Sequence, residues 1–231
     1  YGGAAADPAQ FGAIEFDHVS LRYPGAAGDA LADVSFRVAP GQTLGIIGGT
    51  GSGKTTLANL IARFYDATSG RVLLGGQDVR AYTQDALRAA IGVVPQKAAL
   101  FSGTLRENLR WGDENASDEA LAAALETAQA LPFVEQRPEG LDLVVEQGGR
   151  NLSGGQKQRL CIARALVRHP RILILDDSAS ALDFATDAAL RRALRQRPDG
   201  QTTVIISQRT ASIRHADCIL VLDNGRLVGA G

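Results

Sequence analysis

Short segments in which hydrophobic and polar residues alternate open the chain, and they predict β-strands over 14–23 and 33–38. A more continuous apolar run over 43–47 predicts a strand that is buried on both faces. A glycine-rich turn and a helical pattern over 54–65 follow it. Further strand signals lie at 71–74 and 91–94.

The pattern changes between residues 97 and 170. Residues 108–168 carry almost no strand signal, and hydrophobic positions recur at helical spacing over 119–130 and 154–168, which predicts a helical insertion. Strands are predicted again at 171–175, 202–207 and 218–222, with a helix at 184–197. Strands that alternate with helices favour an α/β fold with a largely parallel sheet and helices on both faces.

Composition and charge narrow the class of protein. The chain has 231 residues, of which 45% are hydrophobic, so a sizeable core is expected. The net charge of −1 gives no broad attraction to nucleic acid, and we expect no nucleic-acid partner. Cys161 and Cys218 lie in apolar stretches, where we expect buried thiols in a reducing compartment.

Membrane and targeting signals are absent from the sequence. No apolar run approaches the roughly 18 residues of a membrane-spanning helix, and no signal-peptide pattern is present. The chain also contains no methionine, even at its first position. We therefore expect a piece of a longer polypeptide, with the small and polar residues 1–12 as the end of a linker.

Residues 48–55 read GGTGSGKT and match the phosphate-loop pattern GxxxxGK[ST] between a predicted strand and a predicted helix. Glycines let the backbone curl so that successive N–H groups point at one anion, and the helix N-terminus adds its dipole. Lys54, one of only three lysines, supplies a charge to the outer phosphates, and Thr55 offers a hydroxyl to Mg²⁺. An ordinary glycine turn would require neither the flanking strand and helix nor a lysine and a threonine at these positions. The predicted nucleotide-binding residues here are Gly48, Gly49, Thr50, Gly51, Ser52, Gly53, Lys54, Thr55 and Thr56.

Residues 171–183 read RILILDDSASALD, and their apolar run ends in the neighbouring carboxylates of Asp176 and Asp177. In a nucleotide-binding α/β fold, a buried strand beside the phosphate loop commonly ends in an aspartate that reaches Mg²⁺. We therefore predict that Asp176 is the metal-side carboxylate. Without the phosphate loop, two solvated acids at a strand end would be the simpler interpretation.

Residues 152–156 read LSGGQ and are followed by KQRLCIARAL. With the two preceding motifs, in this order and spacing, the chain resembles the nucleotide-binding domain of an ATP-binding cassette (ABC) transporter from about residue 14 to its end. The finer resemblance is to exporters. LRYPG carries Tyr23, which is similar to the adenine-stacking aromatic of that family. VVPQKAALFSGTLRENL carries Gln96, which is similar to the glutamine that contacts Mg²⁺ and the attacking water.

Two further stretches extend the resemblance. VVEQGGRNLSGGQ resembles the region that contacts the coupling helices of the membrane domains. SALD, with Ser180 and Asp183, resembles the loop that crosses the dimer interface. The family arrangement implies a head-to-tail dimer holding two ATP molecules with Mg²⁺, each bound by the phosphate loop of one domain and the LSGGQ signature of the other. Its metal ligands would be Thr55, Gln96 and Asp176, and its signature residues Ser153, Gly154, Gly155 and Gln156.

The resemblance also implies the organisation of the chain. It predicts a P-loop NTPase (RecA-like) core with a mainly parallel sheet, an antiparallel β subdomain and an inserted α-helical subdomain. The ATP-binding core would cover 13–96 and 159–231, the helical subdomain 97–158, and the membrane domain would lie outside this chain. We expect transmembrane domains and a second nucleotide-binding domain as partners, at the cytoplasmic face of a bacterial inner membrane.

Two positions depart from the hydrolytic pattern of the family. Asp177 stands where active members have glutamate, and Gln208, in TTVIISQR, stands where the switch histidine is expected. The histidines of this chain are His18, His169 and His215, which lie elsewhere. The shorter aspartate retreats from the attacking water by about 1 Å, which can cost about a hundredfold in rate. A neutral glutamine can donate a hydrogen bond but cannot become cationic. With Asp177, Gln208 and Gln96 as the catalytic positions, we expect ATP binding with slow hydrolysis.

A degenerate nucleotide site beside an intact LSGGQ is a pattern known among heterodimeric exporters, in which one composite site hydrolyses ATP and the other mainly retains it. We therefore expect this domain to pair with a different chain and to lend its signature to the catalytic site of the partner. Three alternatives stay open: a homodimeric, slowly hydrolysing exporter, a non-transport ATPase of DNA repair or translation, and a regulatory module without turnover. The sequence does not encode the transported substrate, and a multidrug role is simply the commonest assignment in the family.

Overall fold

A computed structural model describes residues 11–178, 180–197 and 200–231. The strands in these ranges are β1 (Ile14–Leu21), β2 (Leu31–Val38), β3 (Thr43–Gly48), β4 (Ser69–Leu74), β5 (Gln77–Asp78), β6 (Ile91–Val94), β7 (Gly103–Thr104), β8 (Val144–Val145), β9 (Ile172–Asp176), β10 (Thr202–Ile206), β11 (Cys218–Asp223) and β12 (Arg226–Ala230). The helices are α1 (Lys54–Ile61), α2 (Gln84–Ala90), α3 (Leu105–Arg110), α4 (Asp118–Thr127), α5 (Leu131–Glu135), α6 (Gly154–Val167), α7 (Phe184–Arg195) and α8 (Thr210–Ile213). The described residues divide into two units, one made of 11–93, 171–177 and 200–231, and the other of 94–170, 178 and 180–197.

The first unit is built on a six-stranded sheet in the order β12-β11-β3-β10-β9-β6. Its central strands β3, β10 and β9 are buried along nearly their whole length, as strands covered on both faces are expected to be. β10 pairs in parallel with β3 and with β9, and β11 pairs in parallel with β3. The carboxyl ends of these strands therefore meet at one edge of the sheet.

The same unit contains a four-stranded antiparallel sheet in the order β2-β1-β4-β5. Alternate side chains of β1 are buried, and the alternation is interrupted at His18, where φ is 50° and the register with β2 shifts. Side chains of both sheets share one hydrophobic core. Phe11, which the sequence analysis places at the end of the linker, lies in this core with its ring centroid 4.5 Å from that of Tyr82.

The second unit is mainly helical. α3 and α4 pack against α6, whose buried face includes Leu160, Ile162 and Leu166. The short strands β7 and β8 form a separate antiparallel pair. The predicted helical segment 97–158 lies within this unit, and the exact division into an ATP-binding core and a helical subdomain stays a prediction.

The predicted α/β class, with a mainly parallel sheet and an antiparallel sheet, is confirmed. The helix predicted over 54–65 is shorter than expected, because Arg63 adopts a left-handed backbone with φ of 51°. The N–H of Phe64 then donates to Asn59 O at 2.8 Å and that of Arg63 to Leu60 O at 3.2 Å, which is the Schellman ending of a helix. The sequence pattern did not predict β12, an edge strand that pairs with β11. No helix within the described ranges has both the length and the apolar character needed to span a bilayer.

Candidate nucleotide site

The phosphate loop joins the end of β3 to the start of α1. Gly51 and Gly53 adopt φ of 77° and 102°, a region that other residues rarely enter. Gly48 is required for a different reason, since a Cβ there would overlap the carbonyl oxygen of Leu222. The first N–H groups of α1 have no acceptor inside the helix, and its first turn carries no acidic side chain. The loop is therefore shaped to receive an anion.

Lys54 is folded back over this loop. Its Nζ donates to the carbonyl oxygens of Gly48 at 2.7 Å and Gly49 at 2.6 Å, and the residue is only 9% exposed. Burial lowers the pKa of the Lys54 ammonium, while the negative charges of Asp176 and Asp177 act in the opposite direction. A positive charge is thus held directly at the loop, with the carboxylates at the end of β9, which is separated from β3 by β10 alone.

A hydroxyl and a carboxylate meet beside the loop. Thr55 Oγ1 donates to Asp176 Oδ2 at 3.0 Å, although the two residues lie 121 positions apart in the sequence. Burial raises the pKa of the Asp176 carboxyl, and the charge of Asp177 raises it further, whereas the hydrogen bond from Thr55 and the charge of Lys54 lower it. Two oxygen ligands of this kind fit Mg²⁺, which is bound through one or two protein groups together with phosphate oxygens and water. The described residues contain no group of three or more His, Cys, Asp or Glu that could hold a metal ion.

Asp177 and Gln208 follow the ends of two adjacent strands. In the parallel pair of β9 and β10, Asp176 lies opposite Ile206, and the N–H of Asp177 donates to Ile206 O at 2.9 Å. Gln208 comes two residues after Ile206 and is exposed. Because β3 is the other neighbour of β10, the phosphate loop, the two aspartates and Gln208 all lie at the carboxyl edge of three adjacent strands.

Asp177 has a further property that the sequence did not reveal. Its φ is 46°, in the left-handed region that aspartate and asparagine enter more readily than other residues with side chains. The short side chain thus matches the local backbone.

Tyr23 lies two residues after the end of β1 and is half-buried. Its hydroxyl donates to Thr56 Oγ1 at 3.1 Å, and its ring meets that of Tyr65 edge to face, with centroids 4.9 Å apart. The phosphate-loop helix therefore fixes the predicted adenine-stacking ring. The hydroxyl oxygen of Thr56, a residue predicted to bind nucleotide, accepts this hydrogen bond from Tyr23.

The remaining predicted site residues belong to the second unit. Gln96 lies just after β6 and is exposed. Ser153 is the N-cap of α6: its hydroxyl accepts from Gln156 N at 3.2 Å, and Gln156 Oε1 accepts from Ser153 N at 2.9 Å. This reciprocal capping box was missed in the sequence, where the spacing Ser-x-x-Gln was its signal. The signature serine and glutamine thus also build the helix start, while Gly154 and Gly155 leave its backbone accessible.

A cleft of about 430 Å³ opens at this helix start, lined among others by Ser153, Gly155, Arg159 and Asp183. Asp183 caps α7, and the hydrogen bonds from Thr186 hold the pKa of its carboxyl below the usual range. The N-termini of α6 and α7 thus both border the cleft.

Arg159 was not singled out in the sequence. Its Nη1 donates to Gln129 O at 2.7 Å, its Nε donates to Gly155 O at 3.3 Å, and its guanidinium lies 4.9 Å from the ring centroid of Phe133. Burial lowers the pKa of this guanidinium, and the negative charge of Asp183 opposes the shift. The N-terminus of α6 and the Arg159 guanidinium favour an anion in the cleft, whereas the N-terminus of α7 already holds the carboxylate of Asp183.

Comparison with known proteins agrees with these features. A model of the ABC transporter family matches residues 31–180. The chain is 48% identical over 220 residues to the ABC transporter ATP-binding protein YfiB of Bacillus subtilis, covering 95% of this chain and 38% of that protein. It is 47% identical over 221 residues to an ATP-dependent lipid A-core flippase of Albidiferax ferrireducens, with the same two coverages.

A solved structure extends the comparison to three dimensions. The structure of a bacterial Atm1-family ABC exporter with ATP bound superposes with a TM-score of 0.90 at 42% identity, covering 95% of this chain and 38% of that one. The chain thus spans about 38% of the length of these relatives. It belongs to the ABC transporter family, as a nucleotide-binding domain homologous to those of exporters.

Proposed function

We propose that this domain binds Mg-ATP and that the parent protein uses the binding and hydrolysis of ATP to drive export across a membrane. The observation that carries the proposal is the group of Lys54, Thr55 and Asp176 at the phosphate loop, with a hydroxyl-to-carboxylate distance of 3.0 Å. When bound, Mg²⁺ would neutralise charge on the phosphate oxygens. Thr55 and Asp176 would hold it, Gln96 would join them as the family pattern implies, and the loop amides with Lys54 would hold the phosphates.

We further propose that this site hydrolyses ATP slowly. The carboxylate of Asp177 is one methylene shorter than that of glutamate, and Gln208 has no basic nitrogen with which to exchange a proton. The left-handed backbone at Asp177, with φ of 46°, supports the idea that the local structure suits the shorter residue. Binding of the phosphates and of Mg²⁺ depends on other side chains, so we expect affinity without fast turnover.

The signature cleft is proposed to act in trans. The N-terminus of α6, its glycine backbone and Arg159 favour an anion, and in a head-to-tail dimer that anion is the γ-phosphate held by a second domain. We propose that the second domain is a different chain with a complete catalytic site. This domain would then contribute a degenerate site of its own and an intact signature to its partner.

The second unit also offers a surface for the membrane domains. Trp111 is 66% exposed and stacks on Phe101, itself 45% exposed, with ring centroids 4.5 Å apart. A cleft of about 680 Å³ lies beside Trp111. We propose that this aromatic pair, with the stretch before the signature, contacts the coupling helices of the membrane domains, because exposed apolar patches commonly mark interaction sites.

A mixing experiment tests whether one chain supplies the signature and the other the catalytic residues of an active site. One variant combines Asp177→Glu and Gln208→His with Ser153→Asp, so that it has the catalytic residues but a carboxylate in place of the hydroxyl at the start of α6. The unmodified chain is its partner. Each protein alone should turn over ATP slowly, and the mixture should be faster by tenfold or more, up to about a hundredfold. In a matched control, Ser117→Asp replaces Ser153→Asp; Ser117 caps α4 and does not line the cleft, so this variant should be active by itself.

Different failures have different meanings. If the unmodified chain does not bind Mg-ATP, the nucleotide-site proposal is wrong. If it binds ATP and hydrolyses it as fast as the control variant with Asp177→Glu, Gln208→His and Ser117→Asp, the site is not degenerate and a homodimeric exporter is favoured. If the mixture shows no gain while the control variant is active, the signature does not act in trans.

A further inference from the structure

The turn between β11 and β12 contacts the phosphate loop, although no nucleotide motif includes it. Asp223 pairs with Arg226, so Asn224 and Gly225 form a two-residue turn, and their φ values of 46° and 74° are both positive, as a type I′ turn requires. In such a turn, the amide of the second central residue has no acceptor within the hairpin. Here the N–H of Gly225 donates to Ser52 O at 3.0 Å.

Gly225 is also packed too closely to carry a side chain. A Cβ at Gly225 would lie 2.7 Å from the carbonyl oxygen of Ala30, and one at Gly53 would lie 2.9 Å from that same oxygen. The carbonyl of Gly225 in turn accepts from Ala32 N at 2.8 Å. The backbone of the turn is therefore fixed between the start of β2 and the end of the phosphate loop.

The hydrogen bond to Ser52 has a direct consequence for the loop. In a trans peptide the C=O of one residue and the N–H of the next point in opposite directions. By holding the carbonyl of Ser52, Gly225 fixes the direction in which the N–H of Gly53 points. That N–H belongs to the set of backbone donors that would surround the phosphates.

We infer that the Asn224-Gly225 turn is a positioning element of the nucleotide site, with Gly225 as the positioning residue that acts through the Ser52–Gly53 peptide. This inference rests on the proposed function, because it requires that the loop binds a nucleotide. Misdirecting one backbone donor lowers the affinity for ATP while the other parts of the site stay in place.

The chain contains a matched control for the test. Gly75 and Gly76 form another two-residue turn, between the paired Leu74 and Gln77, with φ values of 59° and 82°. A Cβ at Gly76 meets nothing within 4 Å. Gly76→Ala therefore introduces the same kind of backbone strain as Gly225→Ala, at the same turn position, without touching the phosphate loop.

Thermal unfolding and equilibrium binding of Mg-ATP should be measured for both variants, with binding measured well below the lower Tm. We expect both variants to unfold at lower temperature than the unmodified chain, and only Gly225→Ala to lose about tenfold in ATP affinity. Equal affinity in Gly225→Ala and Gly76→Ala would overturn the inference. Failure of the unmodified chain to bind ATP would instead refute the proposed function.

A backbone substitution gives a second test that does not depend on Gly225→Ala folding. A synthetic peptide of residues 218–231, joined at Cys218, allows an ester to replace the amide of Gly225, which removes the N–H that reaches Ser52 and leaves every side chain unchanged. The expected loss is roughly three- to tenfold in ATP affinity. An ester at Gly231 is the control, because it removes an N–H that donates to Ile219 O within the same sheet. If both esters bind ATP equally, the inference is wrong.

Discussion

Ser153 has two separable tasks, and substitutions at this position should separate them. In the structure its hydroxyl accepts from Gln156 N at 3.2 Å and so caps α6. Removing an N-cap oxygen typically costs about 1 kcal/mol of stability. Ser153→Ala should therefore lower the free energy of unfolding by about 1 kcal/mol, which corresponds to about 2–4 °C in Tm for a chain of this size.

Ser153→Asp should behave differently, because aspartate also accepts at an N-cap and its charge complements the helix dipole. We expect it to be about as stable as the unmodified chain and yet unable to activate a partner, since a second carboxylate in the cleft, at the start of α6, repels phosphate. Ser117→Ala serves as the control: Ser117 caps α4 by accepting from Ala120 N at 3.3 Å, so the variant should lose similar stability and keep full activation.

The assays are urea and thermal unfolding without nucleotide, and the ATPase activity of the mixed domains. If Ser153→Ala is as stable as the unmodified chain while Ser117→Ala loses about 1 kcal/mol, the capping box at the signature does not contribute and the reasoning is refuted. If Ser153→Asp still activates its partner fully, the cleft does not receive the phosphate.

Two further predictions concern the nucleotide site itself. Asp176→Asn should abolish Mg²⁺-dependent ATP binding and yet stabilise the nucleotide-free domain at pH 7. Burial raises the pKa of the Asp176 carboxyl, so the folded chain holds this proton more tightly than the unfolded chain. The unmodified chain therefore loses stability as pH rises through that pKa, and the variant does not. Urea unfolding from pH 4 to 8 should show that the variant exceeds the unmodified chain in free energy of unfolding by less and less as the pH falls. The prediction is contradicted if the unmodified chain is at least as stable as the variant at pH 7. Tyr23→Ala should weaken ATP binding about tenfold through lost stacking, whereas Tyr23→Phe, which removes only the hydroxyl bonded to Thr56, should change it less than about threefold, as measured by calorimetry. Equal losses in the two variants would mean that the hydroxyl, not the ring, matters.

Much of the fold could be predicted because the local signals are strong. A parallel α/β unit can be identified from the sequence, because β3, β9 and β10 are aliphatic runs and a glycine-rich loop precedes α1. The end of α1 could not be predicted in this way. The helical pattern continues past Ile61, and the left-handed backbone at Arg63 is held by contacts with another part of the chain, since Nη1 of Arg63 donates to Val79 O at 3.2 Å and Tyr82 O at 3.1 Å.

The sequence by itself determined the phosphate loop, the two strand-end aspartates, the signature and the departures at Asp177 and Gln208, because each of these is carried by side-chain identity at fixed spacing. Only the tertiary structure decided that Thr55 Oγ1 lies 3.0 Å from Asp176 Oδ2, because α1, which follows β3, packs against β9 on the far side of β10. It alone also revealed the bond from Gly225 to Ser52. That contact joins two backbone groups, and a backbone hydrogen bond between distant residues leaves no side-chain pattern by which a sequence could reveal it.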